Sequence, residues 1–316
     1  MVAQRALSCF TCDMKILCCG FFPAWQRTLE LKDFRLGGVN RARRVVDSVG
    51  GKAANTARVL YRLGIEHLYL GFGGGETGQV IARMLSQEGI RHKLVPTLTP
   101  SRICQTILAD DAGDFTELIE DALPPTDAEW QEFMRLFGSL VPDYDRIVLS
   151  GTLPRGVSSD IYAQLIELGG SQRILLDTSG DALRKAISRS PSIVKINESE
   201  LCKSVAGDSL EDRVYGLLAQ GVEAVGVTRG GQYSMFGWSG KLWRITVPEV
   251  DVVSTLGCGD SVNAGMVRSL AAGESPLNAF VYGLACGSAN AETALPGEIV
   301  PERVRELVSQ IVIEQV

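Results

Sequence analysis

Arg146-Ile147-Val148-Leu149-Ser150, Ile174-Leu175-Leu176-Asp177, Ile193-Val194-Lys195-Ile196 and Ala224-Val225-Gly226-Val227-Thr228 punctuate the middle of the chain, starting 19 to 31 residues apart. Each is short, almost continuously apolar and rich in Leu or β-branched residues. A strand reads that way when both of its faces are covered. Between and around them lie amphipathic stretches such as Ala53–Leu63, Asp160–Leu168 and Arg213–Gln220, the first and last followed by Gly64 and Gly221, where a left-handed cap ends a helix. Lys15–Cys19 and His67–Phe72 repeat the strand pattern nearer the start. The alternation predicts an α/β fold, a doubly wound, mostly parallel sheet flanked by helices.

Two regions break the rhythm. Arg102–Ala109 alternates, with Ile103, Gln105, Ile107 and Ala109 on one face, and a turn-rich Asp110–Asp114 separates it from extended Phe115–Glu120. That pattern is a β-hairpin. Thr28–Leu31 and Arg43–Val49 also read as extended. Together, about 24–49 and 98–122 predict a small β-sheet lid over the carboxyl edge of the main one. Past Gly257 the chain reads as helical, over Ser261–Ala272, Pro276–Glu292 and a last helix begun by Pro301.

Composition narrows the function classes. The chain has 316 residues, 45% hydrophobic and 22% charged, enough to bury a substantial core. Its formal net charge of −6 disfavours nucleic acid or an anionic membrane as a partner. No apolar run approaches the ~20 residues of a membrane span, and residues 1–13 make a poor signal peptide, which predicts a cytoplasmic protein with a short N-terminal extension. Met14 is an alternative start. Of eight cysteines, Cys9, Cys12, Cys18 and Cys19 cluster, but no second pair completes a zinc spacing, and Cys18 and Cys19 fall in a strand whose side chains alternate. With only His67 and His92, a Ser-His-Asp hydrolase is a weak idea.

The strongest local signal is Ser254-Thr255-Leu256-Gly257-Cys258-Gly259-Asp260-Ser261, leading into a helix. Two glycines around a small residue let backbone amides converge at a helix N-terminus, an anion site. An acid there serves either as a plain cap or as a base beside the anion hole, taking the proton of a hydroxyl that attacks a phosphoryl group. A second signal, Gly50-Gly51-Lys52 with Asn55, permits close backbone approach where another helix begins. Asn197-Glu198-Ser199-Glu200 places a carboxamide and a carboxylate three apart, fit for magnesium through water. Thr228-Arg229-Gly230-Gly231 offers amides to a nucleotide phosphate. Gly71–Gly78 imitates a dinucleotide fingerprint outside the first strand-turn-helix unit and reads as a flexible glycine turn over the sheet edge.

Taken in order, these segments resemble the ribokinase/PfkB family of carbohydrate kinases over roughly residues 15–310. Within it, Val39-Asn40-Arg41, Thr116–Glu120, Ser150–Gly156 and Leu176–Leu183 are similar to the branch of 1-phosphofructokinases and tagatose-6-phosphate kinases. The resemblance implies a ribokinase-like kinase domain over 14–316 that transfers phosphoryl from ATP to a sugar phosphate. It implies Asp260 as base and Gly257, Cys258 and Gly259 as anion hole. Gln26, Arg41, Gly50, Gly51, Lys52, Asn55 and Arg102 fall on the sugar side, and Lys195, Asn197, Thr228, Gly230, Gly231 and Asn290 on the nucleotide side. Asn197 and Glu200 would hold Mg2+ through water, with a monovalent cation as a further candidate. Lid strands in the family often pair between subunits, which implies a homodimer through the lid.

Three departures stand out. Phe22-Pro23-Ala24-Trp25-Gln26 puts Gln26 where the branch has an Asp that holds sugar hydroxyls; a carboxamide both donates and accepts and has no charge. Cys258 replaces an Ala or Ser and is a candidate for oxidation sensitivity. Lys195-Ile196-Asn197 stands for Lys-Pro-Asn. Gln26 leaves open a kinase of an unphosphorylated sugar or nucleoside, and, in another class, a non-catalytic sugar-binding sensor. A nicotinamide oxidoreductase rests on the 71–78 run alone.

Overall fold

The computed structural model describes residues 14–110 and 115–316. Cys9, Cys12 and the N-terminal extension lie outside them. The strands are β1 (Lys15–Cys19), β2 (Ala24–Leu31), β3 (Arg44–Gly50), β4 (Glu66–Gly74), β5 (His92–Thr97), β6 (Arg102–Ala109), β7 (Phe115–Ile119), β8 (Arg146–Ser150), β9 (Ile174–Asp177), β10 (Ile193–Asn197), β11 (Ala224–Thr228), β12 (Ser234–Trp238), β13 (Lys241–Thr246) and β14 (Val312–Gln315). The helices are α1 (Lys52–Arg62), α2 (Gly75–Gln87), α3 (Asp127–Leu140), α4 (Ile161–Gly169), α5 (Gly180–Ala186), α6 (Glu198–Ser204), α7 (Leu210–Ala219), α8 (Cys258–Ala271), α9 (Pro276–Ala291) and α10 (Pro301–Val308).

The main sheet has ten strands in the order β14-β13-β12-β11-β10-β9-β8-β1-β4-β5. The seven from β11 to β5 are parallel, and β12, β13 and β14 add an antiparallel edge. The predicted doubly wound sheet is therefore present. Its two faces are packed separately: Cys18, Val148, Ala224 and helices α1, α8 and α9 share one core, Cys19, Leu149, Val225 and helices α3, α4 and α7 the other. Adjacent Cys18 and Cys19 thus point to opposite sides, which a shared metal ion would not permit. No group of three His, Cys, Asp or Glu side chains suited to a metal ion occurs among the described residues, and no helix among them is long and apolar enough to cross a membrane.

A separate four-stranded sheet, order β3-β2-β6-β7, is inserted after β1 and after β5. Strands β2 and β6 run parallel, with antiparallel β3 and β7 at the edges. Alternation places Ala24, Gln26 and Thr28 on its covered face. The predicted second sheet is thus present.

Two readings need correction. The chain past Gly257 is not wholly helical: β14 returns to the sheet edge beside β13, a four-residue strand too short to announce itself by pattern. Gly71–Gly78 is not a flexible turn. Strand β4 runs to Gly74 and α2 starts at Gly75. A Cβ on Gly74 would lie 2.0 Å from the Thr99 carbonyl oxygen, so the glycine serves close passage of backbone rather than a ligand.

Candidate active site

The carboxyl ends of β9, β10 and β11 open toward the small sheet, where a parallel sheet presents its loops. Between them lies a cleft of about 920 Å³. The Gly50–Lys52 turn, Asn55, the Gly257–Asp260 turn, Lys195, Asn197, Glu200, Thr228 and Gly230–Gly231 all line it, as do Gln26 and Arg102 from the small sheet. One wall farther along is apolar, formed by Val247, Val250, Val252, Leu256, Leu284 and Ala291. Residues as far apart in sequence as Gln26 and Ala291 thus meet in one place.

The amide turn begins α8. Gly257 is its N-cap in the left-handed conformation (φ +81°), and Cys258, Gly259 and Asp260 form the first turn. Ser261 N–H is the first to find a carbonyl one turn back, that of Gly257 at 2.9 Å. The amides of Gly259 and Asp260 therefore have no intrahelical acceptor, and with the helix dipole behind them they favour an anion.

Asp260 sits at the cleft wall, 8% exposed. Asn55 Nδ2 donates to its Oδ2 at 2.8 Å, and Arg58 Nη1 donates to Asn55 Oδ1 at 2.8 Å. Because a guanidinium only donates, it fixes the Asn55 oxygen toward itself and turns the amide toward Asp260. Arg58 is in turn held by Val49 O, Pro296 O and Glu88. Burial, with the charge of Asp177 behind it, pushes the Asp260 carboxyl up to about 6, against the opposing Asn55 bond and the Lys52 and Lys195 charges. A carboxylate tuned toward neutrality suits a base.

Beneath this wall lies a fully buried carboxylate. Asp177 Oδ1 accepts from Lys52 Nζ at 2.7 Å, and Oδ2 from Lys195 Nζ at 2.8 Å and Asn263 Nδ2 at 2.7 Å. Burial opposes its charge, but the two ammonium groups overcome that and hold it well below the usual carboxylate range. Lys52 also reaches Glu200 Oε1 at 3.2 Å. Burial disfavours the Lys52 ammonium, yet Asp177 and Glu200 outweigh it and keep the group firmly protonated.

Asn197 caps α6, its Oδ1 accepting from Glu200 N–H at 2.8 Å. Asn197 thereby fixes the backbone of Glu200, and its oxygen keeps a second lone pair at the cleft wall. Glu200 Oε2 is buried without a partner, and that unsatisfied oxygen fits a magnesium-bound water.

Two sequence expectations are corrected. Asn290 is fully buried and does not line the cleft; its Oδ1 accepts from the Ser261 hydroxyl and from Gly297 N–H, and its Nδ2 donates to Leu256 O. It braces the amide turn from behind rather than meeting a nucleotide. Arg41 is exposed on the connection between β2 and β3, outside the cleft lining. Cys258 lines the cleft, and burial pushes its thiol up to about 11, which favours the protonated form. Sequence reading also passed over Asp177, Asn263 and Arg58 as site residues. Only the apolar-to-acidic end of Ile174–Asp177 marked the first, since an acid closing a buried strand faces the carboxyl edge.

A large parallel sheet with a second small sheet above its carboxyl edge, an amide turn at a helix start and a buried acid beside it define a phosphoryl-transfer class of α/β enzyme. Residues 23–303 match the pfkB family carbohydrate kinase model, and the chain belongs to that family. It is a carbohydrate kinase. Among solved structures, a Staphylococcus aureus protein provisionally assigned as a phosphofructokinase is 26% identical (TM-score 0.77), the match covering 96% of this chain and 99% of that one. Escherichia coli phosphofructokinase-2 is 22% identical (TM-score 0.84; 94% and 98% covered). A Thermotoga maritima protein provisionally assigned as a 1-phosphofructokinase is also 22% identical (TM-score 0.84; 96% and 99% covered).

Proposed function

We propose that this kinase transfers the terminal phosphoryl group of ATP to a hydroxyl of a sugar phosphate, with Asp260 as base. The observation that carries this is Asp260 itself: a buried carboxylate held by Asn55, in the same helical turn as two unpaired amides. The acceptor hydroxyl gives its proton to Asp260 as its oxygen attacks phosphorus. The amides of Gly259 and Asp260, with Lys52 and Lys195, stabilise the charge on the transferring group. The apolar wall around Val250 and Leu284 suits a nucleobase. Magnesium held through water at Glu200 would neutralise phosphate charge and order the ATP chain.

On the sugar side Arg102 is the candidate for gripping phosphate, because its buried Nε lacks a partner and its fork of donors suits the anion. Escherichia coli phosphofructokinase-2 has been solved with fructose 6-phosphate, and separately with potassium; both ligands are carried to this chain as proposals. A homodimer through the small sheet is proposed from its exposed Val45, Leu118 and Ile119.

A second reading, a kinase of an unphosphorylated sugar or nucleoside, is favoured by Gln26. Its Nε2 and Thr106 Oγ1 lie 2.8 Å apart, and with Arg41 outside the cleft, Arg102 is the only arginine lining it among the described residues. ATP consumption with fructose 1-phosphate, fructose 6-phosphate, tagatose 6-phosphate, fructose, ribose and adenosine separates the readings. The sugar phosphates are expected to lower KM at least about tenfold against the free sugars, one charged contact's worth. Equal or better use of fructose, ribose or adenosine would establish the second reading.

The small sheet is expected to act as a lid that excludes water. Amide hydrogen exchange across 102–120 should slow when sugar and nucleotide bind together. Unchanged exchange would remove the lid.

A further inference from the structure

We propose that Asp177 is a positioning residue for phosphoryl transfer: from beneath the cleft it holds the Lys52 and Lys195 ammonium groups in fixed places beside the amide turn of α8. The inference rests on the kinase chemistry proposed above.

The geometry is that of a hub. Asp177 comes from β9, Lys52 from α1, Lys195 from β10, and Asn263 from α8 one turn after Asp260. One carboxylate thus joins the three elements that carry the candidate base and both candidate cations. It is 0% exposed and does not line the cleft, whereas both lysines do. The Lys195 ammonium lies against the amide turn, 2.9 Å from where a Cβ on Gly259 would sit.

Stability alone does not call for this arrangement. A buried ion group is often matched or bettered by apolar side chains of the same volume, because desolvation offsets the attraction. What the carboxylate supplies is placement. A lysine is a flexible stem bearing a point charge, and without a fixed counter-charge its ammonium has many positions. Electrostatic stabilisation of a transition state needs the charge in place beforehand. Released from Asp177, Lys52 has Glu200 at 3.2 Å as its remaining ion-pair partner.

Asp177 also acts on the base through space. The groups facing Asp260 are Asn55 and Lys52 of α1, Asp177 of β9 and Lys195 of β10, with Glu200 of α6 next to Lys52 and Arg58 of α1 behind Asn55. Removing the Asp177 charge removes a contribution that favours the protonated form.

The test compares native enzyme, Asp177→Asn and Asp177→Glu in the sugar panel, with thermal melts of each. For Asp177→Asn, kcat should fall about 100-fold, the cost of a misplaced catalytic charge, and the acid limb of kcat/KM should move below its native position. For Asp177→Glu, which keeps charge but changes its reach, kcat should fall about tenfold with the limb unmoved. A purely structural role would lower the melt and leave kcat at permissive temperature and the limb unchanged, overturning the proposal. If Asp177→Asn does not fold, an Asp177→Glu enzyme with kcat within threefold of native overturns it. Pinning is also read without substrate, by amine acylation of Lys52 at pH 9 followed by mass spectrometry. At least about tenfold faster labelling is expected once the counter-charge is weakened in a folded variant, and equal rates overturn the inference. A native protein that consumes ATP with none of the sugars would defeat the proposed reaction, and the labelling result would still decide the role of Asp177.

Discussion

Asp260→Asn should lower kcat about 10³-fold while leaving nucleotide affinity within a few-fold, the size expected when a positioned base is removed from a site that otherwise stays intact. The substitution keeps the shape of the side chain and an acceptor for Asn55 Nδ2, and removes only the charge and the proton affinity. That loss is about 4 kcal/mol of transition-state stabilisation. Turnover within tenfold of native would show that another group takes the proton. In the native enzyme kcat/KM should rise with pH through about 6, where burial has placed the Asp260 carboxyl, and reach a plateau above it.

Stability should run the other way. The folded carboxyl holds its proton up to about 6, whereas an unfolded one releases it near 3.9. Between roughly pH 4 and 6 the folded state binds the extra proton, so Asp260 stabilises below that window and loses up to about 3 kcal/mol of that contribution as pH rises through it. Asp260→Asn should therefore melt a few degrees above native at pH 7, and below pH 4 the difference should vanish. Asp177 has the opposite sign, its depressed folded pKa giving stability at neutral pH that is lost on acidification. A melt of Asp260→Asn no higher than native at pH 7 would mean that the carboxyl is not strained by burial.

Gly257→Ala and Gly259→Ala should separate scaffold from chemistry within one turn. Gly257 has φ +81°, and a Cβ there would lie 2.6 Å from Pro296 Cβ and 2.8 Å from its Cα. Neither the left-handed backbone nor the rigid proline yields easily, and Arg58 and Asn290 hold that loop from two sides. The expected cost is about 2–4 kcal/mol of stability, with at least 100-fold lower kcat as the amides turn away. Gly259 has no such constraint. Its Cβ would meet only the end of the Lys195 side chain at 2.9 Å, so Gly259→Ala should cost less than about 1 kcal/mol of stability yet lower kcat about tenfold by displacing that ammonium. Equal effects of the two substitutions on melting temperature and on kcat would rule out this division.

Some of this was legible from residues alone. Buried parallel strands announce themselves because both faces must be apolar, and so Arg146–Ser150, Ile174–Asp177 and Ala224–Thr228 fall where the pattern puts them. The amide turn at Gly257–Asp260 and the Gly50–Lys52 turn were readable because backbone that must approach a ligand demands glycine at fixed offsets. The terminal strand β14 and the path of Gly71–Gly78 were not, since a four-residue edge strand and a close backbone passage depend on neighbours far away in sequence.

The sequence by itself determined the α/β alternation, the inserted hairpin and the turn that carries Asp260, all consequences of local periodicity and local backbone freedom. Tertiary structure alone decided which side chains face the cleft. It withdrew Asn290 and Arg41, engaged the Asn197 oxygen in a cap, and brought Asp177 beneath Lys52 and Lys195. The reason is range: a hydrogen bond between residues 125 positions apart leaves no trace in the spacing of either, and the proton affinity of Asp260 is set by burial and charges that only the packed chain assembles.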